Sequence, residues 1–408
     1  GVSSQDPAIN FTQVKDHVFN VIDQIAPHDS QTRFEKLGAR VFRSRARFID
    51  KDKILVDGAK IQARHFVLAT GSVPFIPPVE GLDTSKVYTN ENIFSLREKP
   101  GHLIIMGGGP IGVEMAQAHA RLGSRVTIIQ SRTLLPKDDP DLVEILRRQL
   151  VEDGVTINEG CKATIVDHVK PDTVEVTFQD ESTGKTHKTS GTHLLVATGR
   201  RTDLSSLDPE AACIQLSGGD LVLDNRLRTS QRHIYAVGDV TGGPQFTHVA
   251  SYQAGIVIRN MIFKTPAKVD YSALPWVTYT DPELANVGLT EAAARRRFGD
   301  KIRTTQWDFE DNDRAVSERT AKGMVKLVTL KNGKILGAAI VGPHAGEMIG
   351  MWGLAISRKL KLSDIARMIL PYPTLAEAGK RAAGDFYAAG LFSRKTKWLV
   401  RLLKKLPI

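Results

Sequence analysis

The stretch Leu103–Gln130, LIIMGGGPIGVEMAQAHARLGSRVTIIQ, constrains this chain more than any other, because the hydrophobic period changes twice within it. Leu103–Met106 reads as a short buried strand, Val113–Leu122 as a helix closed by Gly123, and Arg125–Ile129 as a returning strand. Gly107, Gly109 and Gly112 stand with G-x-G-x-x-G spacing where the first strand must turn into the helix. Gly107 permits the tight turn, Gly109 lets backbone amides approach a pyrophosphate, and Gly112 allows the helix to pack close to the strand. An anion there meets the unpaired N–H groups and the positive dipole end of the helix. A lone motif of this kind is weak. Here the period changes correctly on both sides, which favours a dinucleotide site over a tight turn without a ligand.

The second strand ends at Gln130, followed by Ser131 and Arg132. A carboxylate at this end would accept from a ribose 2′-hydroxyl and mark NAD; a neutral Gln130 beside a cationic Arg132 leans toward the 2′-phosphate of NADP. The plainer alternative makes Arg132 a solvated turn residue.

At 408 residues the chain is long enough for two or three domains. Its formal charge of +10 invites a nucleic-acid reading, but six of those charges (Arg394, Lys395, Lys397, Arg401, Lys404, Lys405) lie in an acid-free stretch at 391–408. The body is only mildly basic and carries no interleaved basic and aromatic signature, so nucleic acid is not an expected partner. The two cysteines, Cys161 and Cys213, form neither a disulfide framework nor a C-x-x-C pair. That usage suits a reducing, cytoplasmic compartment. No apolar run reaches the ~18 residues of a membrane helix.

Taken in order, Phe11–Ala26 reads as a helix stopped by Pro27, and 28–38 as a second helix ended by Gly38. Strands follow at Arg40–Asp50, Lys53–Val56 and Ala63–Leu68, the last running into Ala69-Thr70-Gly71-Ser72. Asp141–Gly154 is a helix, Val155–Asn158 a strand, and a hairpin-rich stretch leads to Leu194–Val196 and a second Ala-Thr-Gly at 197–199. The repeat of an apolar strand ending in Ala-Thr-Gly suggests two related nucleotide-binding units. Ile234–Val237 is a strand ending in Gly238 and Asp239, with His248–Met261 as the helix behind it. Asp239 is placed either to hold a ribose or ribityl hydroxyl or to cap a turn. Beyond a boundary near Tyr271, strands at Trp276–Tyr279, Thr304–Asp308, Gly323–Leu330 and Ile335–Val341 alternate with helices. Met348, Met351 and Trp352 lie at helical spacing in Ala345–Lys359 and read as a core or subunit-contact face. His344 and Glu347 lack a third partner, so no metal site is expected. Arg295–Arg297 read as a solvated helix face.

Together these residues resemble the pyridine nucleotide-disulfide oxidoreductases, the family of dihydrolipoamide dehydrogenase, glutathione reductase and mercuric reductase. ATGSVP and AVGD are similar to its second and third FAD contacts, GGGPIGVE to its NAD(P) site, LPWVTYTDPELANVGLTE to the opening of its dimerisation domain, and PYPTLAE to its histidine-proline-threonine segment. The resemblance implies an α/β fold: two Rossmann-like nucleotide-binding domains, the first incomplete, plus a C-terminal α+β dimerisation domain. The flavin domain would comprise 1–98 and 202–272, the NAD(P) domain 99–201, the dimerisation domain 273–390, and a basic amphipathic tail 391–408. It implies FAD and NADP (or NAD) as cofactors, a homodimer whose C-terminal domain completes the partner's site, and hydride transfer from NAD(P)H to flavin and on to a small-molecule acceptor. The cofactor-binding set is then Thr70, Gly71, Ser72, Gly107, Gly109, Ile111, Gly112, Arg132, Gly199, Gly238, Asp239 and Ala250. The catalytic set is Tyr372, Glu377 and Glu114, the last matching the family's carboxylate beside the nicotinamide.

Two departures matter. The family begins with a further strand, glycine turn and helix for the ADP half of FAD, then a helix with a C-x-x-x-x-C pair; neither stands in this sequence, so the chain is expected to lack that segment. Where the family has its thiol-activating His stands Tyr372, while the partner carboxylate, Glu377, remains; Glu377 either accepts from the phenol or caps the helix after Pro373. Three functions compete: a disulfide-reductase-like flavoenzyme, the same fold passing electrons to a quinone or other non-disulfide acceptor, and a non-catalytic dimeric or membrane-surface scaffold that kept only the nicotinamide site. Trp398, Leu399, Leu402, Leu403 and Leu406 share one face of the tail opposite its cations, a pattern that allows peripheral membrane contact or packing on the protein itself.

Overall fold

A computed structural model describes residues 8–170 and 172–405. Helices α1 (Phe11–Ile25) and α2 (Gln31–Lys36) precede a three-stranded antiparallel sheet of β1 (Ala46–Asp50), β2 (Lys53–Val56) and β3 (Ala59–Gln62). Next come β4 (Phe66–Leu68) and the short β5 (Val73–Pro74), then β6 (His102–Met106), α3 (Pro110–Arg121), β7 (Arg125–Gln130), α4 (Pro140–Glu152) and β8 (Val155–Glu159). A meander of β9 (Cys161–Lys170), β10 (Thr173–Asp180) and β11 (Thr186–Gly191) leads to β12 (His193–Val196) and β13 (Arg200–Arg201). The hairpin β14 (Leu216–Ser217) and β15 (Asp220–Leu221) precedes β16 (Ile234–Ala236) and α5 (Thr247–Met261). The rest comprises β17 (Pro275–Thr278), β18 (Glu283–Gly288), α6 (Glu291–Phe298), β19 (Ile302–Asp308), α7 (Asp313–Glu318), β20 (Met324–Leu330), β21 (Ile335–Gly342), α8 (Ala345–Ser357), α9 (Leu362–Ala366), α10 (Glu377–Leu391) and α11 (Arg394–Leu403).

The parallel sheet β12-β6-β7-β8 carries the first nucleotide turn. All of β6 is buried, and its side chains alternate between two cores. Leu103 and Ile105 pack with Val113, Leu142 and Leu146 of α3 and α4, while Ile104 and Met106 pack with Val166, Val176 and Phe178 of the meander. Two covered faces explain why this strand reads as a continuous apolar run. Each such side chain contributes roughly 1.5–3 kcal/mol on burial.

A second parallel pair brings together strands far apart in sequence: β4 and β16 align Phe66 with Ile234 and Leu68 with Ala236. The C-terminal part is one antiparallel sheet, β17-β18-β21-β20-β19, covered by α8 and α10 around Trp352 and Phe386. Trp352 is 1% exposed and Met348 and Met351 pack against the same core, so this face of α8 is core within the chain. Arg295–Arg297 are exposed on α6.

Several boundaries differ from the sequence reading. The strand expected at Arg40–Asp50 starts only at Ala46, and the one at Ala63–Leu68 only at Phe66, because β3 takes Ala59–Gln62 as the third member of a hairpin sheet. The unexpected β18 lies between β17 and β21; Ala285, Asn286 and Gly288 in ELANVG hide its period. Helix α3 begins three residues early, at Pro110, whose fixed φ suits a first helical position. Helix α8 stops at Ser357, and Lys359 follows in the left-handed region. Among the described residues no helix is long and apolar enough to cross a membrane.

Candidate active site

The glycines of the first turn divide into two kinds. Gly107 has φ +112°, and a Cβ there would lie 2.3 Å from the Ala197 carbonyl oxygen; a Cβ on Gly112 would lie 2.0 Å from that of Gly107. Both are demanded by the chain's own packing. Gly109 is not: it has φ −78° and ψ −177°, open to any residue, and a Cβ on it would meet nothing within 4 Å. It caps α3 without a side-chain cap, and the amides of Gly109, Ile111 and Gly112 find no acceptor among the described residues. The start of α3 therefore offers open space above unpaired donors. At the end of β7, Gln130 Oε1 accepts from Gly108 N at 2.8 Å and its Nε2 donates to Thr133 O at 3.2 Å. Gln130 is committed to the loop, and the neighbouring Arg132 is exposed.

The parallel register of β4 and β16 opens their carboxyl ends side by side, which brings Thr70–Ser72 next to Gly238–Asp239. Ser72 Oγ donates to Asp239 Oδ2 at 2.6 Å. Arg200 Nε donates to Ser72 Oγ at 2.7 Å, its Nη2 to Ser72 O at 2.6 Å, and its guanidinium stands 3.7 Å from the Asp239 carboxylate. Gly238 N donates to Oε1 of the fully buried Gln253 at 2.6 Å, and Gln253 Nε2 donates to the Tyr271 hydroxyl. A Cβ on Gly238 would come 3.3 Å from that of Ala250, so the first turn of α5 sits directly on this turn. Gly71 (φ +73°) and Gly199 (φ +130°) face open space, and Thr70 is exposed. Sequence reasoning missed Arg200, Gln253 and Tyr271; the only signal was that Arg200 follows the second Ala-Thr-Gly.

The second Ala-Thr-Gly joins the two turns. Ala197 N donates to Met106 O and its carbonyl abuts Gly107; Thr198 Oγ1 donates to Phe75 O at 2.6 Å, Phe75 N donates to Gly199 O at 2.9 Å, and Arg200 reaches Ser72. Four consecutive residues thus touch both places.

Helix α3 also reads the C-terminal sheet. Glu114 Oε1 accepts from Tyr279 N at 2.8 Å, and burial raises its pKa above the ordinary glutamate value although that hydrogen bond works the other way. One turn on, Gln117 exchanges hydrogen bonds with the Asp281 backbone, and Arg121 Nη1 donates to Asp281 Oδ2 at 2.7 Å. Tyr372, 68% exposed, donates to Asp313 Oδ2 at 2.7 Å. That hydrogen bond and the Asp313 charge hold the phenol's pKa above its usual value. Glu377 is the first residue of α10, and its amide donates to Thr374 O; the phenol's acceptor is Asp313, a residue the sequence did not single out. Cys161 is buried in the core beneath β9, where burial raises its pKa, and Cys213 is exposed beside another core. Among the described residues no cluster of metal-ligating side chains forms.

The sequence pattern of the pyridine nucleotide-disulphide oxidoreductases matches residues 4–254, and that of their dimerisation domain matches 274–383. The chain belongs to this family. Members of the family are FAD-dependent oxidoreductases that use NAD(P)H. Within the family the chain is 35% identical to a mercuric reductase of Bacillus cereus over 86% of its own length and 55% of the relative's. It is 33% identical to a mercuric reductase of Streptomyces lividans over 95% and 82% of the two chains, and 32% identical to a dihydrolipoyl dehydrogenase of Geobacillus stearothermophilus over 94% and 82%. The chain spans little more than half the length of the Bacillus cereus relative. Among solved structures it is similar to the HOCl-induced flavoprotein disulfide reductase RclA from Escherichia coli, with a TM-score of 0.84 and 28% identity over 92% of this chain and 86% of that one.

Proposed function

We propose that this chain acts as an FAD-dependent NAD(P)H oxidoreductase of the cytoplasm, working as a homodimer through 273–390, with 1–98 and 202–272 as its flavin domain and 99–201 as its NAD(P) domain. The observation that carries the reading is the segment 197–200, which abuts the glycine turn at one end and reaches Ser72 beside Asp239 at the other. A nicotinamide nucleotide on the first and a flavin on the second would share one short wall.

The residues present fit both groups. The open cradle at Gly109, with the free amides of Ile111 and Gly112, suits a pyrophosphate, and the exposed Arg132 suits a 2′-phosphate. Gly71, Gly199 and Gly238 offer main chain without a Cβ, the exposed Thr70 stands beside Gly71, and Ala250 keeps α5 close behind Gly238. Asp239 offers acceptor oxygens to flavin hydroxyls; Arg200 and Ser72 fix its orientation. FAD, when bound, supplies the centre that takes hydride from the nicotinamide and delivers electrons to the acceptor. Glu114, anchored by Tyr279 N, stands one helical turn beyond the cradle, where it orients the nicotinamide.

Tyr372 favours a non-disulfide acceptor such as a quinone. A disulfide reductase needs a base that titrates near neutrality to take and return a thiol proton. A phenol held protonated by Asp313 is a donor or stacking surface instead. Glu377 then serves the start of α10. With Cys161 in a core and Cys213 outside it, the chain offers no thiol pair among its described residues.

An absorbance spectrum of the purified protein tests the flavin reading: bound flavin bleached by NADPH supports an enzyme, and a colourless dimer supports a scaffold that kept only the nicotinamide site. Acceptor assays on the full-length protein and on Tyr372→Phe and Tyr372→His test the acceptor. Quinone reduction that persists in Tyr372→Phe is expected, with disulfide reduction low throughout. Disulfide reduction abolished by Tyr372→Phe while quinone reduction continues would make Tyr372 a proton-transfer residue and overturn the reading.

A further inference from the structure

Helix α11 lies outside both family patterns, which end at residue 383, and takes no part in the chemistry above. Ser393 caps it by accepting from Thr396 N at 3.2 Å, and Thr396 Oγ1 donates back to Gly390 O, so α11 leaves α10 through a formed corner. None of its residues is buried. Trp398 is 66% exposed, and Leu399, Leu402 and Leu403 are about half exposed.

At about 100° per residue, Trp398, Leu402, Leu399 and Leu403 fill an arc of roughly 140°, while Lys404, Lys397, Arg401, Arg394 and Lys405 fill the opposite arc of roughly 100°. Lys395 falls within the apolar arc at the first turn, where a long stem can lie along the surface and lift its ammonium. None of these six cations pairs with a described carboxylate, and 391–408 contains no acid. Leu391 and Phe392, both exposed, extend the apolar surface at the corner. Leu406, also assigned to this face from the sequence, lies outside the described residues.

We propose that α11 is an interfacial helix that docks the protein on an anionic lipid bilayer. The charge carries the choice of occupant. A protein groove would need acids matched one by one to cations spread over the whole helix, whereas an anionic headgroup layer neutralises them all at once while the Trp and Leu stripe enters the acyl boundary. The indole suits that depth, with an apolar body and an N–H for the headgroups. Pairing of these cations with headgroups is screened by ions, so docking depends on salt and on lipid charge.

Flotation of the full chain with phosphatidylcholine vesicles, with and without phosphatidylglycerol, tests this. Binding is expected only to the anionic vesicles and is expected to fall as salt rises. Neutralising Lys397, Arg401 and Lys404 to Gln should weaken it roughly 100-fold. Leu399→Gln with Leu402→Gln should also abolish stable binding, while sedimentation shows the oligomer unchanged. Equal binding to both vesicle types, no binding to either, or binding indifferent to these substitutions would overturn the proposal. So would dissociation of the oligomer by Leu399→Gln with Leu402→Gln, which would make α11 a subunit contact.

Discussion

Gly109 and Gly112 stand three residues apart in one motif, and the structure assigns them opposite sensitivities. Gly112→Ala places a methyl 2.0 Å from the Gly107 carbonyl oxygen. It is expected to cost about 2–3 kcal/mol through overpacking, read as a lowered thermal midpoint. Gly109→Ala meets nothing within 4 Å and has an ordinary φ, so stability should change by less than about 1 kcal/mol. Its methyl would project over the start of α3, and NADPH affinity should fall roughly tenfold or more, measured by calorimetry. If Gly109→Ala binds NADPH as tightly as the parent, the pyrophosphate does not sit there. Arg132→Ala is expected to weaken NADPH about 10–100-fold and to leave NADH nearly unchanged, the size of a lost charge-assisted contact. Equal affinities for both nucleotides in the parent would show that the ribose is read elsewhere.

At the scale of elements, the loop before α4 is locked to the C-terminal sheet by buried charge. Asp138 accepts from Trp276 Nε1 and Asn286 Nδ2, each at 2.7 Å. Beside it Lys326, 4% exposed, meets Asp139, Asp141 and Glu291 within 3 Å. Burial opposes the Lys326 ammonium, but the hydrogen bonds it donates to Asp141, Glu291 and Asp139 outweigh it and hold its pKa above the ordinary lysine value. Burial pushes Asp138 up to about 6, above the ordinary aspartate value, against the Trp276 hydrogen bond. A carboxyl whose folded pKa is raised favours the folded state fully below its unfolded pKa and loses that contribution as pH rises through its folded pKa. The window therefore runs from about pH 4 to about pH 6, and the loss is roughly 2–3 kcal/mol. Asp138→Asn keeps an acceptor for both donors without the charge. Its stability relative to the parent should rise across that window and stay level above it; urea midpoints at several pH values check this, and a constant difference would contradict it.

For the whole molecule, the segment Ile369–Pro373 leaves apolar side chains exposed. Ile369 is 94% exposed and Tyr372 68%, in a part of the chain that matches a dimerisation domain. Burying them against a second copy would remove this surface from water. Ile369→Glu is expected to weaken dimerisation at least tenfold by analytical ultracentrifugation, since it buries an unpaired charge. A dimer unaffected by Ile369→Glu would place the contact elsewhere.

The sequence by itself determined the fold class, because β6, α3 and β7 carry local signals: an unbroken apolar strand, a helical period, and glycines where clashes or positive φ exclude other residues. Its family membership was legible because several such motifs occur in one order. What lacked a local signal was decided by tertiary structure. Strand β18 hides its period behind small residues and Asn286, which serves Asp138 on another element. Arg200 meets Ser72 because β13 pairs with β5, and Asp239 joins them because β4 and β16, far apart in the chain, align in parallel. Tyr372, in the segment between α9 and α10, donates to Asp313 of α7, a contact set by where two segments distant in sequence pack. Propensity and steric exclusion act within a few residues and can be read from them; long-range pairing of polar groups depends on which strands become neighbours, and that is settled only when the whole chain has folded.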